Sequence, residues 1–104
     1  EGVLSAMTGS ADRLSGKVLV ITGAASGFGR ELARLAGARG ARIVAVDLPG
    51  EALANAEAGL RAAGTEVLAV AADVGDRAAM HAMAAAALER FGAIDVLVNN
   101  AGTM

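Results

Sequence analysis

The chain has 104 residues, enough for one domain and too few for two. With 55% hydrophobic residues, mean hydropathy +0.52 and formal net charge -2, it has the composition of a packed chain and not a disordered one. Interspersed charges form no basic stripe, which argues against nucleic acid. The lack of Cys excludes disulfides and thiolate metal sites, and a single His81 cannot build a zinc site.

Residues Glu1 to Ser15 are small and polar with no sustained period, and read as a tail or extension in which Met7 is a candidate native start. From Lys17 onward, short runs rich in Val, Ile and Leu alternate with Ala-rich stretches. The runs are Val18–Thr22, Arg42–Asp47, Glu66–Ala71 and Asp95–Val98, each expected as a strand buried on both faces of a parallel sheet. The first Ala-rich stretch places Phe28, Leu32, Leu35 and Ala36 on one helical stripe before Gly40. The second runs from about Gly50 to Ala63 and stops at Gly64. The third puts Met80, Met83, Ala84, Ala87, Leu88 and Phe91 on one face before Gly92. The order is β-α-β-α-β-α-β, which predicts an α/β, doubly wound parallel sheet with right-handed crossovers over residues 16–104. No apolar run is long enough to cross a bilayer and no charged-then-apolar leader precedes the first strand, so no membrane partner is expected. The lack of Cys fits a cytoplasmic location.

The first strand runs into Thr22-Gly23-Ala24-Ala25-Ser26-Gly27-Phe28-Gly29, and a helix follows at once. Glycines there permit a tight strand-to-helix reversal and close approach of a ligand to the backbone. Amides at the helix start, aligned with its dipole, favour an anion such as a pyrophosphate, and the Ser26 hydroxyl can add a donor. No Gly-Lys-Ser/Thr follows, so the turn is not a P-loop.

Asp47 ends the second strand about 20 residues beyond the glycines, where a dinucleotide fold places a carboxylate on the adenosine ribose. It accepts hydrogen bonds from the 2′-hydroxyl and repels a 2′-phosphate by roughly 4 kcal/mol per unit charge at about 4 Å and a dielectric near 20. Neither Leu48 nor Ser26 supplies a cation to rescue a phosphate there, so NAD is expected over NADP. A plain turn before Pro49-Gly50 is the simpler task for Asp47 taken alone.

Two further strings, Ala72-Asp73-Val74 and Asn99-Asn100-Ala101-Gly102, complete a pattern. With the glycine turn before them, they resemble the short-chain dehydrogenase/reductase family over about Leu14 to Met104. The resemblance implies a Rossmann-type sheet of strand order 3-2-1-4. It implies that Gly23, Ser26, Gly27 and Gly29 meet the pyrophosphate, with the cofactor-binding Phe28 near the nicotinamide side, where Ile or Leu is more usual. Asp47 and the adjoining Leu48 then flank the adenosine ribose, and Asp73 and Val74 meet the adenine. Asn99, Asn100, Ala101 and Gly102 steady the sheet and line the ribose. Asp73 and Asn99–Asn100 have structural readings too, as a turn before the next helix and as caps on strand-end backbone. His81 and the Arg30, Glu31, Arg34 and Arg39 set read as solvated surface, and Met80 with Met83 as core.

By the same resemblance, hydride passes between nicotinamide and a secondary alcohol or ketone, with a Tyr, Lys, Ser and Asn handling the hydroxyl proton. This chain has no Tyr and its one Lys is Lys17, so no catalytic residue is assigned within it. An apolar fourth strand left at a sheet edge invites aggregation, so a part of a longer enzyme is expected. The resemblance implies that the complete enzyme is homo-oligomeric and holds the catalytic set beyond Met104. A noncatalytic nucleotide-binding module is the alternative; a methyltransferase ranks below it, because Asn99–Gly102 would have no role.

Overall fold

A computed structural model describes residues 13–100. Seven elements follow in the expected alternation: β1 (Val18–Thr22), α1 (Gly27–Ala38), β2 (Arg42–Asp47), α2 (Glu51–Ala62), β3 (Val67–Ala71), α3 (Arg77–Phe91) and β4 (Val96–Asn99). The four strands form one parallel sheet in the order β3-β2-β1-β4. Each strand's side chains alternate between the two faces, and both faces carry helices. Leu19, Ile21, Ile43, Ala45 and Val67 pack under α1 and α2, against Leu32, Ala36, Leu53 and Leu60. Val18, Val20, Val44 and Val46 point the other way, toward Met83, Ala87 and Phe91 of α3. Burying a Val, Leu or Ile side chain fully contributes roughly 1.5–3 kcal/mol, so β1 and β2, buried along almost their whole length, hold the fold. Leu14 joins the first of these layers, and Gly16 N–H donates to Gly40 O.

Several sequence expectations shift. The third strand starts at Val67, because Glu66 is exposed and engages the ladder only through its carbonyl, which accepts from Ile43 N–H. The fourth runs Val96–Asn99, one residue later than Asp95–Val98. Asp95 ends the ladder instead: its carboxylate accepts from Val18 N–H at 2.8 Å while its own N–H donates to Val18 O. The outer strands are not buried on both faces, since β3 and β4 lie at the sheet edges and keep half-exposed positions.

The helix faces also differ. On α1 the buried set is Gly29, Leu32, Ala33 and Ala36, whereas Phe28 and Leu35 are exposed. At about 100° per residue those two sit roughly a quarter-turn off the line through Leu32 and Ala36 that faces the sheet. On α3 the buried seam is Met83, Ala87 and Phe91 at four-residue spacing; Met80 and Ala84 are half-buried beside it, and Leu88, a residue past the seam, is exposed. Gly92, at φ 81°, closes α3 in the left-handed conformation that the sequence suggested. The second helix spans Glu51–Ala62, with Gly50 and Ala63 as its flanking caps.

Candidate functional site

All four strands end at the same rim. Register pairs Thr22 with Val46 and with Asn99, and Asp47 with Ala71, so the segments singled out in the sequence emerge side by side. The chain runs β1, β2, β3 in one direction and then returns to place β4 on the other side of β1. That reversal at β1 is where open α/β sheets leave a crevice at the carboxyl ends of their strands.

The turn from β1 to α1 fills the crevice floor. Gly23 and Gly27 have φ of 69° and 59°, values that side-chain-bearing residues rarely adopt. Gly29 has an ordinary helical backbone but no room: a Cβ there would stand 2.2 Å from Gly23 O and 2.8 Å from Asn100 Nδ2. Its missing side chain lets α1 start hard against β1 and β4. Ser26 is the residue before α1, extended and exposed, and its side chain makes no cap hydrogen bond. No acidic residue sits in the first turn either. The first amides of α1 therefore lack the usual side-chain acceptor, and an incoming anion can take that place.

Asp47 closes one side. Its Oδ2 accepts from Ala25 N–H at 2.9 Å and its Oδ1 from Leu48 N–H at 2.8 Å, so the carboxylate lies against the glycine turn. A carboxylate has about four acceptor sites, and two stay available to hydroxyl donors. Leu48 is largely exposed at the start of the next loop.

On the neighbouring strand end, Asp73 folds into a turn, with Oδ1 accepting from Gly75 N–H and its carbonyl from Asp76 N–H. The helix cap is Asp76, which accepts from Ala79 N–H at 3.1 Å. Asp73 is thus an exposed turn former, and Val74 beside it is exposed too.

Thr22 holds the other side together. Buried at the end of β1, its hydroxyl accepts from Asn100 N–H at 2.9 Å and lies within donating distance of Asn99 Oδ1 (3.1 Å) and Val98 O (3.3 Å). Asn100 Nδ2 reaches back to Gly23 O at 3.5 Å. Sequence reasoning gives Thr22 no separate task, yet a lone hydroxyl ending an apolar strand was the available signal. Ala101 and Gly102 lie outside the described residues.

Two larger hollows flank the sheet. One of about 400 Å³ lies between α1 and α2, touches the turn at Ala24 and Gly27, and does not reach Asp47. The other, about 470 Å³, opens over β1 and β4 beside α3, with Thr22, Val74 and Asn99 on its rim and Met80 and Met83 along its wall. His81, exposed as expected, also borders it. Among the described residues no group of His, Cys, Asp and Glu could hold a metal ion, and no helix is long and apolar enough to cross a membrane.

Comparison with known proteins gives a consistent result. Residues 17–104 match the family model described as short chain dehydrogenase. A 1-deoxy-11-beta-hydroxypentalenate dehydrogenase from Streptomyces avermitilis is 52% identical over 86 residues, covering 82% of this chain and 32% of that protein. A short chain dehydrogenase/reductase from Burkholderia phymatum, solved in complex with NAD, superposes with a TM-score of 0.79 at 48% identity, over 81% of this chain and 30% of the other. A metagenomic short-chain oxidoreductase in complex with NADP gives 0.81 at 42% identity, over 90% and 42%. The chain spans about a third of the length of the curated relatives it matches.

Proposed function

Because this chain belongs to the short chain dehydrogenase family, we propose that it is the NAD-binding portion of an oxidoreductase acting on a secondary alcohol or ketone. The observation that carries the cofactor part is the Asp47 carboxylate lying against an uncapped, glycine-built helix start. The residues suit the group. Amides at the start of α1 and the Ser26 hydroxyl would hold the pyrophosphate, and Asp47 the adenosine ribose. The exposed apolar Leu48 and Val74, with Asp73, would border the adenine. Asn100 would line the ribose from the β4 side.

Bound there, the nicotinamide supplies the hydride acceptor or donor for a carbinol or carbonyl carbon. This chain's own work is to bind and orient: the turn neutralises the diphosphate with backbone dipoles, and Asp47 selects against a 2′-phosphate. A Tyr acid/base has to come from outside these 104 residues, so they bind cofactor without turnover. A cytoplasmic, homo-oligomeric complete enzyme belongs to the same reading and rests on the family resemblance.

Solved relatives carry either NAD or NADP, and the preference for NAD here is argued from Asp47 followed by Leu48. Calorimetric titration of the chain with both cofactors tests it. NAD should bind at least about tenfold tighter than NADP, and Asp47→Ala should narrow that ratio. An unchanged ratio in Asp47→Ala overturns the assignment, and no binding of either cofactor overturns the site.

A further inference from the structure

We propose that Asp47 has a second task that precedes any ligand: its carboxylate anchors the glycine turn in its binding shape. In this role it is a positioning residue, and the inference rests on the nucleotide reading only for its consequence, not for the contact itself.

The turn from Gly23 to Gly27 has few polar holds of its own. Its side chains are absent or small: the methyl groups of Ala24 and Ala25 pack into the core, and the Ser26 hydroxyl makes no cap bond. Two of its glycines take positive φ, conformations that glycine enters as freely as it leaves. The hydrogen bonds that fix the turn come from the strand ends beside it. Ala24 N–H donates to Val46 O at 3.2 Å, Ala25 N–H donates to Asp47 Oδ2 at 2.9 Å, and Asn100 reaches Gly23 O at the long distance of 3.5 Å. Of these, the bond to the carboxylate is the charge-assisted one, and such bonds are roughly twice as strong as neutral pairs.

The anchor is itself rooted. Asp47 is the last residue of β2, its carbonyl accepts from Ala72 N–H at 2.8 Å, and its Oδ1 is held by Leu48 N–H. The carboxylate therefore arrives at the turn already oriented by the sheet. One oxygen faces the turn and the other accepts from Leu48 N–H, and each keeps acceptor capacity for a ribose hydroxyl. Phosphate affinity and ribose selection then depend on a single carboxylate, and a substitution meant to relax selection also loosens the phosphate cradle.

The test separates the two tasks with 2′,3′-dideoxy-ADP, which has no ribose hydroxyl for Asp47 to hold. Wild type, Asp47→Ala and Asp47→Asn are titrated with ADP and with the dideoxy compound. Ala25 amide exchange is followed by NMR in the ligand-free proteins. The Asn side chain keeps an oxygen for Ala25 N–H. Asp47→Ala should weaken the dideoxy compound about tenfold, the worth of one charge-assisted bond, and raise Ala25 exchange by a similar factor. Asp47→Asn should restore both readings while still binding ADP more weakly than wild type. Loss of a negative charge alone would act in the opposite direction on an anionic ligand.

Unchanged dideoxy affinity and unchanged Ala25 protection in Asp47→Ala overturn the proposal, as does failure of Asp47→Asn to restore the protection that Asp47→Ala loses. If wild type binds neither nucleotide while Ala25 protection still falls in Asp47→Ala and returns in Asp47→Asn, the anchor stands and the nucleotide reading fails.

Discussion

Gly29→Ala is a sharp test of the site's architecture, because helix propensity and steric fit pull in opposite directions. In a helix interior, Ala is favoured over Gly by about 1 kcal/mol. At Gly29, however, the new Cβ would stand 2.2 Å from a backbone carbonyl oxygen. Carbon–oxygen contacts settle near 3.3 Å, so α1 must retreat from β1 by roughly 1 Å. The contacted atom belongs to the turn backbone, which cannot rotate away as a side chain would. Overpacking costs about 1–3 kcal/mol and occasionally more; a clash with fixed backbone belongs at the upper end, about 3 kcal/mol, and offsetting the helix preference of about 1 kcal/mol leaves about 2 kcal/mol of net destabilisation. With a urea dependence of about 2 kcal/mol/M, the unfolding midpoint should drop by about 1 M. ADP affinity should fall by about tenfold or more, since the amides of the helix start move with it. Gly59→Ala is the matched control: it too lies within a helix, but nothing comes within 4 Å of its added Cβ. That variant should gain about 0.5–1 kcal/mol and leave binding unchanged. Gly29→Ala as stable as wild type, or Gly59→Ala equally destabilised, would refute the close-approach argument.

Three other outcomes follow from the geometry. Thr22→Val keeps the shape of the side chain but strands Asn100 N–H, and should cost about 1–3 kcal/mol in urea unfolding. Asp76→Ala removes the side-chain acceptor at the start of α3 and should cost about 1 kcal/mol in the same assay, leaving nucleotide binding intact. The Arg34 hydrogen bond holds the Glu31 carboxyl below its ordinary 4.5. Because the folded value is the depressed one, the pair's contribution is present above the unfolded pKa and is lost as pH falls through the folded value. Wild type and Arg34→Ala should differ slightly at neutral pH in chemical unfolding and converge on acidification below about 4.5.

The sequence made the order of elements legible because βα alternation writes two distinct textures, and the β1 and β2 runs coincide with the observed strands residue for residue. Apolar periodicity failed where one residue type serves two surroundings. Phe28 and Leu35 belong to a plausible stripe on paper, but the line of small residues Gly29, Ala33 and Ala36 is what lets α1 approach the sheet. Large side chains are therefore displaced to its flank. Asp95 looked like a strand residue because it adjoins a Val-rich run, and only the three-dimensional register shows its carboxylate standing in for a ladder acceptor. At the site, glycine spacing revealed the turn and the 20-odd residues to Asp47 revealed its partner. The bond from Ala25 to Asp47 was not legible, since no spacing rule reports a backbone amide meeting a side chain.

The hub at Thr22 also has a consequence for how the chain reaches its native state. Its partners lie 76 to 78 positions away in sequence, whereas β1, α1 and β2 are joined by short connections. Contacts so distant form late, because closing a long loop must precede any reward from the pairing. The entropic cost itself is modest, rising by only about 0.6 kcal/mol per doubling of loop length. The crevice is therefore complete only once β4 has docked, and on the proposed reading a nucleotide that bridges the glycine turn and the β4 end would favour that docking by mass action. At a hundred times its dissociation constant such a ligand adds about 2.7 kcal/mol to the folded state. If the proposed site binds its cofactor, cofactor supply would thereby enter the folding equilibrium of this sheet.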